Sequence, residues 1–215
     1  MSSFTCDDCG APFTVRKEVL DRYPGWTPKQ CMRCRGGATA GSPTRGGKRR
    51  PGRLVEENLT LAEVLEKYRG GPDDGVFTDG SAHPNPGAGG WGAVYVVDGQ
   101  VVDQAHGHES HTTNNRMELT ALIAGYGLVP EGTPATVYTD SRLCVDTITK
   151  WAPGWERNGW KRKAGPVQNL DLVKQLYALH KARPELRLEW IAAHSGNRWN
   201  EYADSLSTAY LREQL

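Results

Sequence analysis

Val76-Phe77-Thr78-Asp79-Gly80 and Val137-Tyr138-Thr139-Asp140-Ser141 share one pattern: a short apolar strand start, a Thr-Asp step and a small residue. Aspartate is depleted in strands, because a short charged side chain suits neither face of a sheet. Two copies in one chain therefore suggest two carboxylates aimed at a common site. Taken singly, each reads equally well as a turn residue or a helix N-cap.

Working outward, residues 91–97 and 101–105 read as further strands. Met117, Ala121, Ala124 and Leu128 recur at helical spacing. Segments 142–151 and 168–183 look helical, Leu186, Leu188 and Trp190 alternate as in a strand, and 200–211 closes as a helix. Early strands in hairpin relation followed by alternating helices and strands predict an α/β fold, a mixed sheet flanked by helices. On the N-terminal side, Leu61, Val64, Leu65 and Tyr68 predict a short helix, with Thr60 and Glu63 as a capping box and Gly70-Gly71-Pro72 as its stop.

The chain has 215 residues, 38% of them hydrophobic and 24% charged, which is ordinary for a globular protein. Its 26 Lys and Arg against 25 Asp and Glu leave a net charge of +1, so any basic surface must be local. No apolar run is long enough to span a membrane, and the first residues have no export pattern. A cytoplasmic monomer with no membrane contact is expected.

Five cysteines without an export signal argue against a disulfide framework. Cys6 and Cys9 form one CxxC pair, and Cys31 and Cys34 another. Each pair can clasp one side of a tetrahedral Zn²⁺, whose binding would supply folding energy that so short a segment lacks. With Cys9-Gly10, Phe13, Tyr23 and Pro28-Lys29, residues 1–35 resemble small bacterial zinc-ribbon domains, and a zinc-ribbon-like module is expected there. Cys144, in an apolar stretch, reads as a buried inert thiol. Residues 36–53 hold five basic residues and no acid among many glycines, a flexible linker that also suits phosphate binding. A connecting helix within 54–70 and a catalytic domain over 74–211 complete the expected organisation.

Glu118 and Asp204 lie in helical segments and, by spacing alone, read as solvated charges. In combination with Asp79 and Asp140 they gain another meaning. Clustered carboxylates persist where divalent cations neutralise them, and all-oxygen ligation suits Mg²⁺ or Mn²⁺. Two such ions can promote in-line phosphoryl displacement. His194, in a glycine-containing loop, is a candidate for proton transfer, although a histidine there is often incidental.

Four motifs in order resemble type 1 ribonuclease H across about residues 75–211: Phe77-Thr78-Asp79-Gly80-Ser81 through Trp91-Gly92, Thr112-Thr113-Asn114-Asn115-Arg116-Met117-Glu118-Leu119, Tyr138-Thr139-Asp140-Ser141, and His194-Ser195-Gly196 with Asn200, Glu201 and Asp204. The resemblance implies a mixed five-stranded sheet and an endonuclease that cuts the RNA strand of RNA–DNA hybrids. Asp79, Glu118, Asp140 and Asp204 would hold two Mg²⁺ (or Mn²⁺) ions, and His194 would assist proton transfer. The products would carry 5′-phosphate and 3′-hydroxyl ends.

The same resemblance places Asn85, Asn114 and Asn115 against the minor groove, where 2′-hydroxyls distinguish RNA. Asn85 also suits a proline-bounded turn, and Asn114 a helix cap. Trp151, Trp155, Trp160 and Lys161, with Arg162 and Lys163, are similar to the basic protrusion that grips the DNA strand in bacterial members; a tryptophan-rich segment is equally plain core. Glu156 and Asn158 depart from its basic character, and Arg142 stands where glutamine is common. The zinc module has three open roles: hybrid tethering, protein docking or structure alone. A non-catalytic adaptor would gain nothing from carboxylates facing phosphates, and Asn-Asn-Arg-Met-Glu points away from a DNA-directed nuclease of the same fold.

Overall fold

The structure, a computed structural model, describes residues 2–15, 17–22, 27–31, 34, 58–162 and 165–212. The basic stretch 36–53, positions 54–57, Tyr23 and Lys163 lie outside the described residues. Contacts divide the chain into two units, Met1–Leu54 and Val55–Leu215.

In the first unit, β1 (Ser2–Thr5) and β2 (Pro12–Val15) pair antiparallel, with Phe4 opposite Phe13, and α1 (Lys17–Arg22) follows. Gly10 takes φ +69 in the turn between the strands, a conformation glycine adopts without steric cost.

The second unit begins with α2 (Leu61–Lys67), whose N-cap is the capping box its sequence predicts: Thr60 accepts from the Glu63 N–H while Glu63 accepts from the Thr60 N–H. Five strands then form one sheet: β3 (Gly75–Ala82), β4 (Gly87–Val97), β5 (Gln100–Thr112), β6 (Ala135–Thr139) and β7 (Leu186–Trp190). Their order is β5-β4-β3-β6-β7. The β3–β4 and β4–β5 pairs are antiparallel, while β3–β6 and β6–β7 are parallel, so the sheet is mixed as expected. The third strand is much longer than residues 101–105, because its pairing with β4 continues to Gly87 opposite Thr112.

The pleat sends alternate residues to opposite faces. Val76, Tyr95 and Val137 join Leu122 and Tyr126 of α3 (Asn114–Leu128) and Leu176 of α6 (Leu170–Ala182) in one core. Phe77, Val94 and Val96 join Val64 of α2 and Trp199 and Leu206 of α7 (Arg198–Ser207) in the other. Fully buried side chains such as Leu122 and Phe77 each contribute roughly 1.5–3 kcal/mol.

Between β6 and α6, the helix expected over 142–151 is α4 (Arg142–Asp146) followed by a π-helical turn (Thr147–Trp151), and α5 (Ala152–Arg157) continues beyond it. Pro153 has no N–H to continue an i→i−4 ladder, and the Ala152 N–H reaches the Thr147 carbonyl instead. The closing helix is likewise shorter than 200–211 suggests: α7 ends at Ser207, and Ala209–Leu211 is a 3₁₀ turn.

Candidate active site

Asp79 sits inside β3, where the sheet tolerates it because the Ser207 hydroxyl of α7 donates to its Oδ2 at 2.7 Å. Glu118 comes from the first turns of α3, and Asp140 follows the last residue of β6. One carboxylate oxygen from each of Asp79, Glu118 and Asp140 lies within 4.8 Å of the others. The sequence reading brings these three together, and so does the fold.

A glycine makes the convergence geometrically feasible. A Cβ on Gly80 would stand 2.2 Å from Met117 C and 2.3 Å from Glu118 N. The absence of a side chain there lets α3 press its Glu118 turn onto β3 beside Asp79. Gly90 and Gly92 do the same for α7 on the opposite face; their Cβ atoms would meet Ser207 O at 2.1 Å and Leu206 Cβ at 2.4 Å.

Polar neighbours fix each carboxylate. Thr139 donates to Glu118 Oε2 at 3.4 Å, and Asn200 Nδ2 donates to Asp140 Oδ2 at 3.4 Å. Burial, followed by the charges of Asp204 and Asp140, pushes Asp79 well above the usual carboxylate range. Burial again, then Asp79 and Asp140, raises Glu118 strongly. Asp140 is raised by burial too, against the lowering influence of Asn200 and of His194. Three acids that resist ionising together form a site suited to a divalent cation, and an all-oxygen donor set fits Mg²⁺ or Mn²⁺.

Asp204, on α7, lies close enough for its charge to raise Asp79, but its carboxylate falls outside the 4.8 Å trio. His194 occupies a left-handed conformation, φ +47, at a cost of about 1–2 kcal/mol for a non-glycine residue. Its Nδ1 faces Glu201 Oε2 at 3.8 Å, and Glu201 is buried. Cys144 is buried, and burial raises its thiol to about 12, so it stays a neutral, inert side chain at neutral pH.

The other predicted residues fall into three places. Asn85 Oδ1 accepts from the Asn114 N–H, and Asn114 Oδ1 accepts from the Ala82 N–H at 2.7 Å, stitching the turn after β3 to the start of α3. The helix cap is Thr113, not Asn114, because Thr113 adopts the extended backbone and its side chain accepts from the Arg116 N–H. Asn115, Trp151, Trp155 and Arg162 line one cavity of ≈ 240 Å³ with Leu119 and Cys144. Trp151 is exposed, whereas Trp155 and Trp160 pack against the core; Trp160 meets Tyr177 edge-on at 6.0 Å. Lys161 is exposed, and Arg142 lies over the ring of Trp190.

Sequence reasoning gave no site role to Ser207, Thr139, Glu201 or Trp190, although Thr139 and Glu201 stand within the motifs that carry the resemblance. Ser207 lies about one helical turn after Asp204, so helical periodicity held a signal for it, whereas the only signal for Thr139 was its place in the motif beside Asp140. Trp190 held none, because its contact depends on the pairing of β6 with β7.

In the first unit, one Sγ from each of Cys6, Cys9, Cys31 and Cys34 lies within 4.8 Å of the others, and none is in a disulfide. Cys9 Sγ and Cys31 Sγ are 3.7 Å apart, close to the roughly 3.8 Å edge of a tetrahedron with metal–sulfur bonds of about 2.3 Å. The Cys31 N–H points at Cys6 Sγ from 3.2 Å and is the main reason that thiol falls to about 6. Hydrogen bonding from Cys9 raises Cys34.

Residues 73–212 match the RNase H family model. The ribonuclease H of Methylorubrum extorquens (strain PA1) is 44% identical over 140 residues, covering 65% of this chain and 60% of that protein. The ribonuclease H of Mycolicibacterium gilvum (strain PYR-GCK) is 45% identical over 141 residues, covering 65% of this chain and 93% of that protein. Among solved structures, the crystal structure of LC9-RNase H1, a type 1 RNase H with the type 2 active-site motif, superposes with a TM-score of 0.53 at 30% identity. That superposition covers 66% of this chain and 74% of the other.

Proposed function

Since this chain belongs to the RNase H family, we propose that it is an endonuclease hydrolysing the RNA strand of RNA–DNA hybrids at the Asp79–Glu118–Asp140 cluster. The observation that carries this is the buried, mutually repelling carboxylate trio at the meeting point of β3, α3 and β6. Asp79, Glu118 and Asp140, with Asp204 beside them, would hold two Mg²⁺ (or Mn²⁺) ions. Bound there, the ions would supply charge neutralisation and a more acidic water.

The chain's own groups do the rest. Ser207 and Thr139 aim the Asp79 and Glu118 carboxylates, and Asn200 aims Asp140. Water adds to phosphorus, the bond to the 3′ oxygen breaks, and that oxygen takes up a proton. His194 moves this proton through Nε2, with Nδ1 facing Glu201. One fragment keeps a 5′-phosphate and the other a 3′-hydroxyl. Asn85, Asn114 and Asn115 read the groove, while Arg142, Trp151, Trp155, Trp160 and Lys161 engage the strands. The partial burial of Trp155 and Trp160 gives them a supporting share, with Trp151 outermost.

The likeness to LC9-RNase H1 supports assignment to type 1. Action as a cytoplasmic monomer belongs to the same proposal; no helix among the described residues is long and apolar enough to cross a membrane. The proposal also places Zn²⁺ on Cys6, Cys9, Cys31 and Cys34, supported by four Sγ atoms within 4.8 Å of one another, one pair of them 3.7 Å apart. With the basic run 36–53, that module would tether nucleic acid near the catalytic unit.

Incubation with labelled RNA in a hybrid, alone, in duplex RNA, and with duplex DNA tests the reading. Cutting in Mg²⁺ confined to the hybrid, with 5′-phosphate ends, is expected. Hybrid binding without cutting in either Mg²⁺ or Mn²⁺ would refute it.

A further inference from the structure

The carbonyl oxygen of Asp140 has two donors: the Arg142 N–H at 3.0 Å and the indole Nε1–H of Trp190 at 3.0 Å. Trp190 ends β7, an edge strand, and is 44% exposed. A large aromatic ring at the rim of an acidic site is not there for core packing. Its N–H is committed to Asp140, which fixes the ring plane. The Arg142 guanidinium lies over that ring, 5.2 Å from the centroid. Among the described residues Arg142 has no carboxylate partner.

Stacking of this kind uses the π face of the guanidinium and leaves its in-plane N–H groups for other acceptors. A planar fork of donors matches a phosphodiester, which can accept two parallel hydrogen bonds. Arg142 follows the catalytic carboxylate by two positions and starts α4. The side chain is thereby held by Trp190 beside the Asp140 backbone. An unstacked arginine would instead sample many rotamers.

We propose that Trp190 is a positioning residue that sets Arg142 as a phosphate clamp beside Asp140, an inference that rests on the hybrid-cleaving reading above. Arg142 touches the substrate backbone, and Trp190 acts through it. Because a phosphate contact releases condensed counterions, the clamp has a signature in salt dependence that a purely structural tryptophan lacks.

The experiment measures KM and kcat on one RNA–DNA hybrid in Mg²⁺, from about 50 to 200 mM salt. It compares wild type, Arg142→Gln, Trp190→Leu, Trp190→Phe and the Arg142→Gln/Trp190→Leu double variant. Arg142→Gln and Trp190→Leu should each raise KM about three- to tenfold at the upper salt and lower the salt slope by about one. The effect falls on KM rather than kcat, and the double variant should be no worse than Arg142→Gln. Trp190→Phe, which keeps a ring, should rescue most of the loss. An unchanged slope with a fall in kcat for Trp190→Leu, or additive losses in the double variant, would overturn the clamp. Failure of wild type to cut the hybrid would overturn the underlying reading instead.

Discussion

Asp79 shows how a residue unfavourable for folding becomes the centre of a site. Its carboxyl, like that of Glu118, is raised by burial first and by neighbouring acids second, above ordinary values of 3.8 and 4.5 respectively. The sign follows from proton counts. Above those ordinary values the native state holds protons that the unfolded chain has lost, so stability declines as pH rises through the folded pKa values. In metal-free protein, Asp79→Asn should therefore gain stability relative to wild type between pH 5 and 8, read by urea denaturation. Added Mg²⁺ should shrink that difference, because the ion stabilises only the charged trio. At the same scale, Ser207→Ala removes the donor to Asp79 and should weaken Mg²⁺ affinity by about tenfold in a calorimetric titration. An unchanged affinity would mean that the hydroxyl does not orient the ligand.

Elements place these residues, and much of their placement was legible. The strand starts at Val76 and Val137, the α2 capping box, and the mixed sheet follow from periodicity and capping rules. Asp79 and Asp140 stood out as acids where strands reject them, and Glu118 was recoverable only through its motif. The less legible parts depended on tertiary partners. Strand β5 reaches Thr112 because β4 is there to pair with it, and the π turn before Ala152 accommodates Pro153. Trp155 and Trp160 read equally as core or as ligand-facing, because composition does not report which face a core lies on; both pack against the core. Gly80 lies at the junction of the two best-read elements. Gly80→Ala would drive a Cβ into the backbone of Met117 and Glu118 and should cost about 1–3 kcal/mol. It should also reduce cleavage by moving α3 off β3, whereas Thr60→Ala, in the α2 cap, should cost only about 1 kcal/mol and spare cleavage. Equal catalytic losses in the two would contradict the assignment.

At the scale of the molecule, two units of different chemistry share one chain: a cluster of thiols in Met1–Leu54 and a cluster of carboxylates in Val55–Leu215. Soft thiolates select zinc and hard carboxylates select Mg²⁺ or Mn²⁺, so the two proposed sites would not compete for one ion. Elemental analysis of the purified protein should find one zinc per chain, lost in Cys31→Ser; a zinc-free wild type would remove the ribbon assignment. The central claim concerns the other unit. Its most direct measurement is single-turnover cleavage of an end-labelled RNA–DNA hybrid in Mg²⁺ by wild type and by Asp140→Asn, a change that keeps shape and removes charge. Cutting of the RNA strand by wild type is expected, with a loss of at least about a hundredfold in the variant. Comparable rates in the two proteins would contradict catalysis at the Asp79–Glu118–Asp140 cluster.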